Sequence, residues 1–259
     1  MANGFPRTQG RLRRLIDLRN QSPFLVVGWL EDDFHHFGVS LEHDGKRITD
    51  VRMVAPRTPW VTCPGAVEPL RELIGKPLLR RASDIGTLLE MRQQCTHVFD
   101  LTGLAMAHAT AGRPHRRYQA LVPDREILRW DDQRPILGPT VATLQSNGIE
   151  VLRWEVEGRQ IRTPLECAGQ SLEHGFRAWT EAMAEEPAEY ATIMRRALLV
   201  AGGRTIDHDR YESAGIYHQA PLCYSFQPER SLAALRNYGS TLDYADDPDG
   251  MLLHVREIP

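Results

Sequence analysis

The sequence predicts an α+β protein: an antiparallel β-meander followed by helices, with a C-terminal β/α extension. Three observations carry this. Strand-like residues 24–62 precede helical residues 64–111 instead of alternating with them, and such segregation argues against a doubly wound parallel sheet. Asp44-Gly45 is a tight-turn pair between two strand-like runs, which marks an antiparallel hairpin. A second strand-like block, 118–164, carries the turn pairs Asn147-Gly148 and Glu157-Gly158.

Each element follows from local pattern. Residues 24–30, FLVVGWL, are apolar and rich in strand formers. Phe37, Val39 and Leu41 alternate with Gly38 and Ser40, the period of a half-buried strand, and Ile48, Val51 and Met53 return from the turn. Cys63-Pro64 opens a helix, because proline suits the first helical position; Cys63 is then the expected N-cap, and Gly75 with Pro77 is the stop. A second helix is expected over 84–94 with Ser83 as its cap, and a third over 96–111, ended by Gly112-Arg113-Pro114. Residues 165–201 read as two helical pieces broken near Pro187, and 251–258 as a short terminal strand.

The expected organisation is a flexible basic N-terminal arm over 1–22, an α+β core over 23–112, and a β-hairpin and helical extension over 113–259 packed on that core. Arg7, Arg11, Arg13, Arg14 and Arg19 make the first segment basic. It is either a solvated arm or one that touches a polyanion or serves as a targeting sequence. The net charge of −3 gives no reason to expect nucleic acid or an anionic membrane as partner. With 42% hydrophobic residues the chain can bury a core without staples, and four cysteines do not make a secreted disulfide framework. No apolar run approaches membrane-spanning length, and no signal peptide is evident. A cytoplasmic protein with reduced thiols and a small-molecule substrate is expected; a homodimer is left open.

No phosphate loop, nucleophile elbow, HExxH or CxxC occurs, so any site must come from distant residues. The candidates are Cys63, Cys95 and His97. Both cysteines fall at expected helix starts, where unpaired amides and the helix dipole favour thiolate. His97 sits two residues from Cys95, and a Cys-x-His pair at a loop–helix junction can chelate one ion. His35 shares parity with Phe37, Val39 and Leu41 and points to the apolar face; His36 points the other way. Asp100 lies one turn beyond His97 and can orient its ring. Buried cysteines that merely pack are the plain alternative. Cys223 reads as a core residue, His208 as a solvated turn, and Cys167 with His174 as helix packing.

Three patches together resemble an uncharacterised bacterial family, domain of unknown function family 2889. They are VGWLEDDFHHFGVSLEHDGKRITDV, PRTPWVTCPGAVEPLRELIGKPL and QQCTHVFDLTGLA. The likeness covers roughly residues 24–200. Carried over, the matching positions are His35, Cys63, Cys95, His97 and Asp100; His36 stands where the family has Asp, and Gln94 where it has Gly. More distantly, residues 36–109 resemble the IscU-type iron–sulfur scaffold fold, which gathers Cys, His and Asp around one exposed metal site. The resemblances imply an IscU-like core, a zinc or iron site of Cys63, Cys95, His97 and His35 or His36, and acid–base roles for His35, His36 and Asp100. They also imply lyase or isomerase chemistry on an aromatic, terpenoid or acyl catabolic intermediate. A metal-free Cys/His thiolate enzyme and a non-catalytic metal-binding scaffold are the rivals.

Overall fold

A computed structural model describes residues 5–131, 134–217 and 220–253. Ten strands and four helices occur among them. The strands are β1 (Arg11–Ser22), β2 (Leu25–Asp32), β3 (His36–His43), β4 (Ile48–Arg57), β5 (His115–Pro123), β6 (Ile127–Asp131), β7 (Arg134–Leu137), β8 (Thr140–Ser146), β9 (Ile149–Glu157) and β10 (Gln160–Thr163). The helices are α1 (Val67–Leu70), α2 (Thr96–Ala111), α3 (Phe176–Glu181) and α4 (Glu185–Ala201). Eight strands form an antiparallel sheet in the order β10-β9-β8-β5-β1-β2-β3-β4, and β6 pairs with β7 alone. The predicted α+β class, with its large antiparallel sheet, is the class observed. No helix among the described residues is long and apolar enough to cross a membrane.

The chain divides into two compact units. One takes residues 1–14, 118–207 and 243–249; the other takes 15–117, 208–242 and 250–259. In the first, the β8–β9 turn places Asn147 and Gly148 at φ 50° and 82°, as a tight hairpin turn requires. Arg204 is buried there between Asp124 at 2.6 Å and Asp243 at 3.0 Å.

The second unit carries His35, Cys63, Cys95, His97 and Asp100. Its β2–β3–β4 meander is in register, with Leu30 opposite Phe37 and Val39 opposite Met53. Asp44 closes the β3–β4 turn by accepting the amides of Lys46 (2.8 Å) and Arg47 (2.7 Å), which is why an Asp-Gly pair turns the chain there. Helix α2 packs on β2 and β3 and is buried almost continuously from Val98 to His108. Gly28 allows that approach, and Gly103 allows the 82–87 turn to close on the same helix. A Cβ on Gly28 would stand 3.1 Å from Leu101, and one on Gly103 only 2.4 Å from the carbonyl oxygen of Ala82.

Four expectations change. Residues 11–22 are not a solvated arm but strand β1: Leu12, Leu15, Ile16 and Leu18 are buried, and Arg14 and Asp17 are buried with them. The helix expected over 84–94 is instead two 3₁₀ turns, Ala82–Thr87 and Met91–Gln93. Gly86 lies inside the first, and Glu90 caps the second by accepting from the Arg92 amide. Cys63 is not an N-cap: Thr62 precedes a 3₁₀ turn, Cys63–Ala66, that runs into the four-residue α1. In the first unit, the break between α3 and α4 falls at 182–184, and Pro187 sits harmlessly in the first turn of α4. The strand expected over 251–258 lies largely outside the described residues.

Gly103→Ala is expected to lower stability by about 1–3 kcal/mol, since the new methyl group meets backbone rather than a movable side chain. Urea unfolding checks this: the midpoint falls with unchanged slope. An unshifted midpoint refutes the close contact between α2 and the 82–87 turn.

Candidate metal centre

The β2–β3 connection is a four-residue turn, Asp32 to His35, closed by the Asp32 amide donating to the His35 carbonyl at 2.9 Å. The Asp32 side chain is fully buried and curls over its own turn. Its Oδ1 accepts the amides of Phe34 and His35, each at 2.9 Å, and lies 2.9 Å from His35 Nδ1. An aspartate bonding amides two and three residues on is a local turn device. Here the same oxygen also fixes the imidazole.

The turn is held from below by Arg57, at the end of β4. Its guanidinium donates to the Asp33 carbonyl at 2.8 Å, to the Asp32 carbonyl, to Glu31 Oε1 at 3.1 Å and to the Ser240 carbonyl at 3.0 Å. The Leu242 amide donates to the same Asp33 carbonyl at 2.8 Å. Asp32 and His35 therefore sit on a turn whose backbone is fixed from two sides.

His97 enters from the first turn of α2. Its ring stacks on His35 with centroids 3.7 Å apart and planes 28° off parallel, and Phe37 lies beyond both. One ligand atom from each of Asp32, His35 and His97 lies within 4.8 Å of the others. Two histidines and a carboxylate converging from a strand turn and a helix start are a donor set suited to zinc or iron.

The structure thus brings His35 and His97 together and adds Asp32, which the sequence reading left within an acidic turn. The legible signal was an Asp three residues before a His at a hairpin turn. His36, one residue on, turns instead to Trp29 (5.4 Å between rings) and Glu31 (3.6 Å). Asp100 is half-buried on α2 and is not one of the three converging groups. Neither cysteine joins them: Cys95 Sγ stands 4.0 Å from His97 Nδ1, and Cys63 Sγ lies 3.4 Å from Ser225 Oγ. His208, expected as a solvated turn, is half-buried; its ring stacks on Tyr217 and tilts against Phe34.

Burial also reverses the expected state of the thiols. Cys95 does cap α2, but desolvation outweighs its backbone N–H bonds and pushes the thiol up, with Cys63 and Cys223 adding to the effect. Burial pushes Cys63 up to about 12, against a smaller pull from Ser225. Both are neutral thiols near pH 7. Their folded values lie above the ordinary one of 9.0, so the stability they contribute is full below pH 9 and for Cys63 is lost as pH rises toward 12. Iodoacetamide at pH 8 is expected to alkylate Cys63 and Cys95 far more slowly than Cys167 and Cys223, with all four reacting after denaturation. Equal rates in the native protein refute the buried neutral state.

Comparison with curated proteins found no match. The family comparison is positive: the family described as Protein of unknown function (DUF2889) matches residues 25–111, a segment that contains Asp32, His35, Cys63, Cys95, His97 and Asp100 but not Cys223. Over that segment the chain carries the DUF2889 signature, the family that its three sequence patches resemble.

Proposed function

We propose that the protein is a metal-dependent enzyme in which Asp32, His35 and His97 hold one divalent ion, zinc or iron. The observation that carries this is the convergence of three ligand atoms within 4.8 Å. The 2.9 Å between Asp32 Oδ1 and His35 Nδ1 is close to the spacing of adjacent ligands around an ion with bonds of about 2.1 Å. Three protein ligands leave further positions for water or substrate, and an ion so held polarises a carbonyl or hydroxyl or activates water. His35 and His97 are half-buried, while Asp32 is fully buried. The family resemblance supports lyase or isomerase chemistry on a small aromatic, terpenoid or acyl intermediate as part of this proposal, and the cysteine usage supports a cytoplasmic setting.

A second reading has a specific observation behind it. Asp32 beside His35 Nδ1 is also the arrangement of a carboxylate that orients an imidazole as general base without metal. The neutral, buried thiols give less support to a cysteine nucleophile.

Metal analysis of the purified protein separates these readings. About one zinc or iron per chain is expected. Asp32→Asn and His97→Ala should each reduce retained metal at least about tenfold with the circular dichroism unchanged, whereas Cys63→Ser should retain it. A metal-free protein that neither takes up nor is stabilised by added zinc or ferrous ion leaves the Asp–His base as the surviving reading.

A further inference from the structure

We propose that Cys95 and Cys223 form a dithiol pair that hydrogen peroxide closes into a disulfide, clamping the segment around residues 220–227 onto the start of α2. The pair goes beyond the metal reading and stands on backbone geometry. Gln94 (φ −100°, ψ 154°), Cys95 (φ −70°, ψ 120°) and Cys223 (φ −144°, ψ 171°) are all extended. The Tyr224 amide donates to the Gln94 carbonyl at 2.9 Å. The bonded peptide groups are therefore those that join Gln94 to Cys95 and Cys223 to Tyr224. Bond lengths alone keep the two cysteine Cα atoms within about 8 Å. A disulfide accepts Cα separations of about 4.4–6.8 Å, a window that lies within this bound.

Neighbouring contacts hold this juxtaposition. Arg230 stacks over the Tyr224 ring at 4.2 Å and donates to Gln93 Oε1 at 3.1 Å. The Gln227 amide group donates to the carbonyls of Pro221 (3.1 Å) and Cys223 (3.2 Å), which folds the loop on itself. Burial raises the Cys95 thiol most, and Cys63 and Cys223 add to the effect. Cys63 also lies close, but its sulfur is engaged with Ser225.

The chemistry is ordered by access. Cys223 is half-buried and Cys95 buried, so peroxide meets Cys223 first. The Cys223 sulfur attacks one peroxide oxygen; an S–O bond forms, the O–O bond breaks, and the departing oxygen leaves as water with the thiol proton. The Cys95 sulfur then attacks the sulfenic sulfur. The S–S bond forms, the S–O bond breaks, and hydroxide leaves as a second water with the Cys95 proton. Two thiols lose two electrons to one peroxide. Because Cys95 Sγ stands 4.0 Å from His97 Nδ1, closure alters the surroundings of a proposed metal ligand, a consequence that rests on the metal reading.

The test is a non-reducing proteolytic map after one equivalent of hydrogen peroxide. The expected product is a cross-linked pair of peptides containing Cys95 and Cys223, lighter by two hydrogens, in most chains and reversed by dithiothreitol. Cys63→Ser should leave it intact, and Cys223→Ser should abolish it. A Cys63–Cys223 link in the wild-type protein, or sulfinic acid at Cys223 with Cys95 still a thiol, overturns the proposal whether or not any variant folds. Metal content measured on the same samples keeps the two ideas apart: the link forms in metal-free protein too.

Discussion

A single carboxylate oxygen organises the region on which everything else here depends. Asp32 Oδ1 gathers two backbone amides and the His35 ring, so the shape of the β2–β3 turn and the aim of its histidine are one fact. Without that oxygen the turn would have to satisfy two amides some other way, and the imidazole would be free to rotate. Arg57 extends the constraint by bonding the outer carbonyls of the same turn. The first turn of α2 then supplies His97 against a surface already fixed; the closeness of α2 to the sheet depends on Gly28, and its closeness to the 82–87 turn on Gly103.

Much of this was legible before any coordinates. The alternation at Phe37, Val39 and Leu41 placed His35 on the face that α2 covers, and the ring contacts of His35 with Phe37 and His97 follow that parity. The bounds of α2 were readable from Cys95-Thr96 and Gly112, because caps and periodicity agreed. The IscU-type likeness, by contrast, rests on the order of elements in the sequence.

Where the reading departed, the cause was tertiary. Strand β1 was hidden by arginines, since a basic run reads as solvated, whereas here Arg14 is buried in a strand flanked by β5 and β2. Asp32 was passed over because its bonds are local to the turn, and an Asp at such a place ordinarily does no more than shape the chain. The cysteines were read from helix ends alone. Their ionisation is decided by burial under residues far off in sequence, among them Ser225 and Cys223, and no local pattern near residue 63 or 95 carries that information.

The bond from Arg57 to the Ser240 carbonyl spans 183 residues. On a ribosome the turn bearing Asp32 and His35 leaves the exit tunnel long before its last anchor has been synthesised. During that interval this turn has its own amides and the near side of Arg57, but not the backbone of 240–242. A nascent chain thus acquires the histidines early and their final rigidity late. The segment that matches the family, 25–111, encodes Asp32, His35 and His97 without the whole of what holds them still.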